Sequence, residues 1–89
     1  MITVYILSCA HGFHYTGMTN NIHRRLKEHN SGRSSWTSQH LPVTILHTEF
    51  FETRRAARTK EKQIKKQGAA RYLQMLNIKK QFAWIGEIR

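Results

Sequence analysis

What is scarce in this chain narrows its options first. A single cysteine, Cys9, rules out an intramolecular disulfide and points to a reducing cytoplasm. On an apolar stretch it reads as packed core, not as a nucleophile. No apolar run approaches the roughly 20 residues of a membrane span. Ile2 to Cys9 is short, lacks a basic leader and fits a strand better than a secretory signal. The six histidines bring no zinc motif. Cys9-Ala10-His11 is the one close Cys/His pair, and no second pair has structural-zinc spacing. His23, His40 and His47 therefore read as surface or edge residues. Gly-rich phosphate loops, low-complexity linkers and internal repeats are also missing, which leaves one continuous domain over residues 1–89. Acids are scarcest of all: Asp+Glu 5 stand against Lys+Arg 15, for a net charge of +10 and a pI near 10.5. A globular chain this basic meets a polyanion, and nucleic acid leads over an anionic membrane.

What is present is organised around Thr3 to Arg25. Ile2, Val4 and Ile6 alternate with Thr3, Tyr5 and Leu7, the period of a strand. Ala10-His11-Gly12 suits a three-residue hairpin loop with Gly in the left-handed position. Pairing Cys9 with Phe13 across that loop sets Leu7 opposite Tyr15 and Tyr5 opposite Gly17. Tyr5 and Tyr15 then share one face, and Gly17 leaves a gap in the side-chain layer where a ligand can approach. Thr19, Asn20 or Asn21 can cap the next helix. On it Ile22, Leu26 and His29 or Asn30 form the apolar stripe, while Arg24 and Lys27 point elsewhere. Arg25 and His29 are neighbours on one helical face. Gly32 is the left-handed stop.

Ser31 to Leu41 reads as a polar loop anchored by Trp36, for which burial outweighs base stacking. Val43 to Phe51 reads as a third strand after Pro42. A long helix runs from its cap at Thr53 to its stop at Gly68. It carries the most basic segment of the chain, from Arg54 to Lys66. Glu61, its single acid, falls with Ala57 and Ile64 on the stripe facing the sheet. A carboxylate there needs an ion-pair partner, Arg25 or a lysine, or a bound cation. Spacing leaves both open. Ala69 to Lys80 repeats helical spacing, and Phe82 and Trp84 read as packing groups. The fold class is α/β of the α+β type: a small three-stranded antiparallel sheet flanked by helices, with a core over about 1–67 and a helical extension over about 69–89.

Thr3-Val4-Tyr5 and Tyr15-Thr16-Gly17 resemble the two signature tripeptides of the GIY-YIG nucleases. Arg25 sits where that family carries its essential arginine, His29 at a position held by His or Tyr, and Glu61 at the metal-binding glutamate. The ordered set is far more specific than either tripeptide, and it is most similar to the small single-domain members. Met18 stands where some relatives have Lys.

The resemblance implies a metal-dependent endonuclease that hydrolyses nucleic-acid phosphodiesters, DNA first, in a setting such as repair or recombination. Glu61 then holds Mg²⁺ or Mn²⁺, hard cations suited to carboxylate, water and phosphate oxygens. Arg25 grips the phosphate through its planar fork. Tyr15 is the chosen base, Tyr5 orients it or the water, and His29 relays a proton or holds phosphate. Arg24, Lys27, Arg54, Arg55, Arg58, Lys62, Lys65 and Lys66 contact the backbone of the nucleic acid. With no room for a separate recognition domain, specificity comes from nucleic-acid shape or a protein partner. Taken singly, each tyrosine is explained by sheet packing and Arg25 by a solvated helix face. The alternative function is a non-catalytic nucleic-acid-binding module on the same fold.

Overall fold

The computed structural model describes residues 1–32, 38 and 40–77. The expectations for Trp36, Phe82 and Trp84 lie outside them. Strand β1 (Ile2–Ser8) turns through Ala10–Gly12 into β2 (His14–Thr19). The Cys9 N–H donates to the Phe13 carbonyl at 2.8 Å, so the loop closes at the expected pair. Leu7 therefore faces Tyr15, and Tyr5 faces Gly17. One detail differs from the sequence reading: the left-handed backbone begins at His11 (φ 65) and continues at Gly12 (φ 78). Histidine is among the side chains enriched in that region.

Helix α1 (Ile22–Asn30) is capped by Asn21, whose side chain accepts from the Arg24 N–H at 3.0 Å. Strand β3 (Thr44–Phe51) returns along the other side of β1. The sheet is antiparallel with order β2-β1-β3 and a register irregularity between Ile6 and Leu7. Helix α2 (Arg54–Gln67) is capped by Thr53, whose Oγ1 accepts from the Ala56 N–H at 3.2 Å, and it stops at Gly68 (φ 99). A further helix, α3, is described over 69–77. No helix among the described residues is long and apolar enough to cross a membrane.

Placing β1 in the centre explains why its residues are buried on both faces. Ile2, Val4 and Ile6 pack with Ala57, Ile64 and Tyr72 beneath α2 and α3. Tyr5, Leu7 and Cys9 pack on the other face with Tyr15, Ile22, Leu26 and Val43. Cys9 is buried, as its apolar setting implied. By contrast β3 is an edge strand with Ile45, Leu46 and Phe50 exposed.

Two polar contacts fix the helices to this frame. Asn30 brackets Val43, donating to its carbonyl at 3.2 Å and accepting from its N–H at 3.0 Å. That leaves His29, not Asn30, as the buried end of the α1 stripe. On the α3 side, the Tyr72 hydroxyl donates to Glu49 Oε2, and His47 Nε2 reaches the same oxygen at 2.9 Å. Lys60 sits over the Tyr72 ring. Burial pushes the Glu49 carboxyl up, but hydrogen bonds from Tyr72 and His47 and the charge of Lys60 outweigh it and hold its pKa below the usual range.

Candidate active site

The hairpin register places both signature tyrosines on the α1 side of the sheet. Their ring centroids are 6.2 Å apart. The room that Gly17 leaves in the side-chain layer is not an open gap for a ligand, as its missing side chain suggested: the Tyr5 phenol fills it. A Cβ there would lie 2.6 Å from Tyr5 Oη and 3.0 Å from Tyr15 Cε1. Helix α1 lays His29 across the pair, with its ring centroid 4.9 Å from Tyr15 and 6.0 Å from Tyr5. Tyr5 Oη lies 3.1 Å from His29 Nε2.

Burial, first, and the charge of Arg25, second, lower the His29 pKa, so the imidazole is neutral at pH 7. In the tautomer protonated at Nδ1, its Nε2 accepts the Tyr5 O–H. Arg25 lies one turn earlier on the same face. Hydrogen bonding with Tyr5 raises its pKa, burial opposes this, and Tyr15 adds to the rise. Glu28 touches the guanidinium from the solvent side at 3.5 Å.

Tyr5 is almost wholly enclosed, and burial is the main cause that pushes its pKa up to about 12. Hydrogen bonding to Arg25 pulls it back, while the charges of Tyr15 and Glu61 add to the rise. The field of Glu61 therefore reaches the Tyr5 hydroxyl from α2. The Glu61 side chain is only 18% exposed, and its Oε2 lies 3.7 Å from Nζ of Lys65, which is 56% exposed. A contact that long on a solvated lysine contributes little stability.

Tyr5, Tyr15, Arg25 and His29 thus meet, whereas Glu61 acts on them only through the weakest of the charge effects on Tyr5. The basic residues Arg24, Lys27, Arg54, Arg55, Arg58, Lys62, Lys65 and Lys66 are all exposed. Arg54, Arg55 and Arg58 line a hollow of about 420 Å³ at the start of α2. Arg24, one of the expected phosphate contacts, donates to Asn20 Oδ1 at 3.1 Å. Sequence reasoning missed His14 and Arg71, which line a groove with Tyr15 and Lys65. They lie on separate elements that only the folded sheet edge brings together, so no local spacing announces them.

Among the described residues no three His, Cys, Asp or Glu side chains gather to hold a metal. A lone carboxylate suits a hard ion that keeps its waters and takes phosphate oxygens, not a preformed protein cage. Glu61 fits that donor chemistry, since among the described residues its ion-pair partner is the solvated Lys65 at 3.7 Å.

A family model for the GIY-YIG catalytic domain matches residues 1–74. A UPF0213 protein of Clostridium perfringens is 42% identical over 77 residues, covering 85% of this chain and 83% of the relative. Another, from Natronomonas pharaonis, is 44% identical over 63 residues, covering 70% and 74%. The solution NMR structure of a UPF0213 protein of Bacillus halodurans aligns with a TM-score of 0.55 at 32% identity, covering 89% of this chain and 86% of that one. With the tyrosines, arginine and histidine gathered over Gly17, the chain belongs to the GIY-YIG catalytic domain family, a nuclease superfamily, and its relatives of similar length are UPF0213 proteins.

Proposed function

We infer that this protein is a metal-dependent endonuclease that hydrolyses phosphodiester bonds in nucleic acid, DNA first. The convergence of Tyr5, Tyr15, Arg25 and His29, with the Tyr5 phenol seated over Gly17, carries the reading. Hydrolysis needs a positioned water, stabilised charge at phosphorus and help for the leaving oxygen. Arg25 offers a fixed charge whose planar fork suits two phosphate oxygens. Tyr15 is less buried than Tyr5, and it is the base. Tyr5 keeps its proton at neutral pH and braces Arg25 and His29 in one geometry. Neutral His29 accepts the Tyr5 O–H at Nε2 and so helps to hold that phenol in place. Glu61 would hold Mg²⁺ or Mn²⁺ with the substrate, an ion that neutralises phosphate charge and eases departure of the leaving oxygen. The exposed cations of α1 and α2 supply non-specific grip on the backbone. Selectivity comes from nucleic-acid shape or from a protein partner, and DNA repair or recombination in the cytoplasm is the setting this chemistry serves.

The Glu61–Lys65 contact favours a second reading, in which Glu61 is only an ion-pair partner and the protein binds nucleic acid without cutting it. A nicking assay on linear, gapped and branched DNA separates the two, run with Mg²⁺, with Mn²⁺ and with a chelator. The nuclease reading expects cutting that needs a metal and is lost in Arg25→Ala and Tyr15→Phe. Salt-sensitive binding with no cutting under either metal would leave the binding module.

A further inference from the structure

Next to Tyr15 the surface opens into a groove of about 670 Å³. Its walls are His14 and Tyr15 of β2, Lys65 of α2, and residues 68–71 at the start of α3. A volume of that size lies within the range of small-ligand sites and far exceeds a few waters. The charged side chains among the described residues lining it are Lys65 and Arg71, and no carboxylate joins them. Gly68, Ala69 and Ala70 keep that wall low, and Tyr15, a member of the candidate active site, borders the groove along the β2 edge. Lys65 also touches Glu61, so it stands between the carboxylate and the groove.

We propose that this groove seats the nucleotide next to the scissile phosphate. Lys65 and Arg71 hold its phosphate, and the hollow between His14, Thr16 and the small residues 68–70 accommodates its sugar and base. The proposal rests on the nuclease reading in one respect: Tyr15 marks where the scissile phosphate lies. It sets the path of the substrate strand, which leaves the site along the β2 edge and over the start of α3. The competing path runs to Arg54, Arg55 and Arg58, whose hollow lies toward the other end of α2. Arg58 and Lys65 are separated by about 10 Å of helical rise, so the two paths are distinguishable.

The test is an amide NMR titration of the full chain with a 5′-phosphorylated thymidine dinucleotide, without divalent metal, and with inorganic phosphate as the control. The groove assignment expects the largest shifts at Thr16 and residues 68–71. Arg71→Ala should weaken dinucleotide binding about fivefold, because a charged phosphate contact is lost. Ala70→Phe, an exposed position, should weaken it at least as much by filling the groove while the spectrum stays folded. Where DNA is cut, Arg71→Ala should raise KM by more than it lowers kcat, as expected for binding shared by ground and transition states. Shifts confined to the Arg54–Arg58 end would overturn the proposal. So would inorganic phosphate matching the dinucleotide, or binding unmoved in both folded variants. A protein that seats the dinucleotide in the groove yet never cuts DNA would sink the nuclease reading and leave the groove standing.

Discussion

A methyl group at Gly17 has no free space. Its carbon would stand 2.6 Å from Tyr5 Oη and 2.7 Å from Tyr5 Cζ, against a ring that neighbours enclose almost completely. Gly17→Ala should therefore force the phenols apart and destabilise the fold by about 1–3 kcal/mol, the usual cost of overpacking. Urea denaturation reads the stability, and the variant should lose cleavage even where it remains folded. Titration at the same cluster sets the pH limits. Tyr5 and Tyr72 both have pKa values raised to about 12, so the folded state resists losing those protons. The stability they protect is intact below pH 10, the ordinary tyrosine value, and declines as pH rises from there toward 12. On the acid side, His29 has a lowered pKa in the fold, so the unfolded chain takes the proton more readily. Stability should begin to fall as pH drops below about 6.5. Glu49 adds a second loss: its depressed pKa stabilises the fold above about 4.5 and ceases to as pH falls through its folded value. Thermal melts across pH 3 to 11 check both limbs. His29→Leu should remove the portion of the acid limb that starts near neutrality.

At the scale of elements, the helices deliver the chemistry and their ends decide where it lands. Asn21 starts α1 so that Arg25 and His29 face the tyrosines, and Asn30 ties its far end to Val43. Asn21→Ala should cost about 1 kcal/mol, measurable as a lowered urea midpoint. Helix α3 packs on the core and is tied to β3 by a polar contact, Tyr72 to Glu49, whose carboxylate His47 of the same strand also holds. Glu49→Gln should lower the melting temperature and speed amide exchange in residues 69–77 more than in α1. Uniform exchange across both helices would contradict that pinning. Much of this was legible in the chain. The loop length fixed which residues pair across the hairpin, and thus that Tyr5 and Tyr15 share a face. Thr53, Gly32 and Gly68 marked helix ends because capping is local chemistry, while Asn21 was one of three adjacent cap candidates with Thr19 and Asn20. The strand order was not legible, because pairing β1 with β3 joins residues about forty positions apart, and no local pattern encodes it. The choice between His29 and Asn30 was likewise hidden, since it depends on where Val43 returns. The groove lined by His14 and Arg71 was hidden for the same reason.

At the scale of the whole molecule, charge dominates. A net +10 on 89 residues creates a field that draws a polyanion regardless of its sequence. Binding to DNA should therefore weaken steeply with salt. About six phosphate contacts lose on the order of a thousandfold in affinity between roughly 50 and 200 mM salt. Fluorescence anisotropy at several ionic strengths measures the slope, and an affinity indifferent to salt would contradict any nucleic-acid reading. Within this field Glu61 is the one acid between Thr53 and Gly68, and a carboxylate there opposes DNA binding unless it has work with a cation. The most direct measurement compares metal-dependent DNA nicking by the wild-type protein and by Glu61→Gln, with melting temperatures recorded on the same samples. Glu61→Gln should retain the fold, bind DNA without metal as well or slightly better, and cut at least about a hundredfold more slowly. Undiminished cutting by folded Glu61→Gln protein would contradict the assignment of Glu61 to the metal and, with it, the mechanism built around the Tyr15–Arg25 pair.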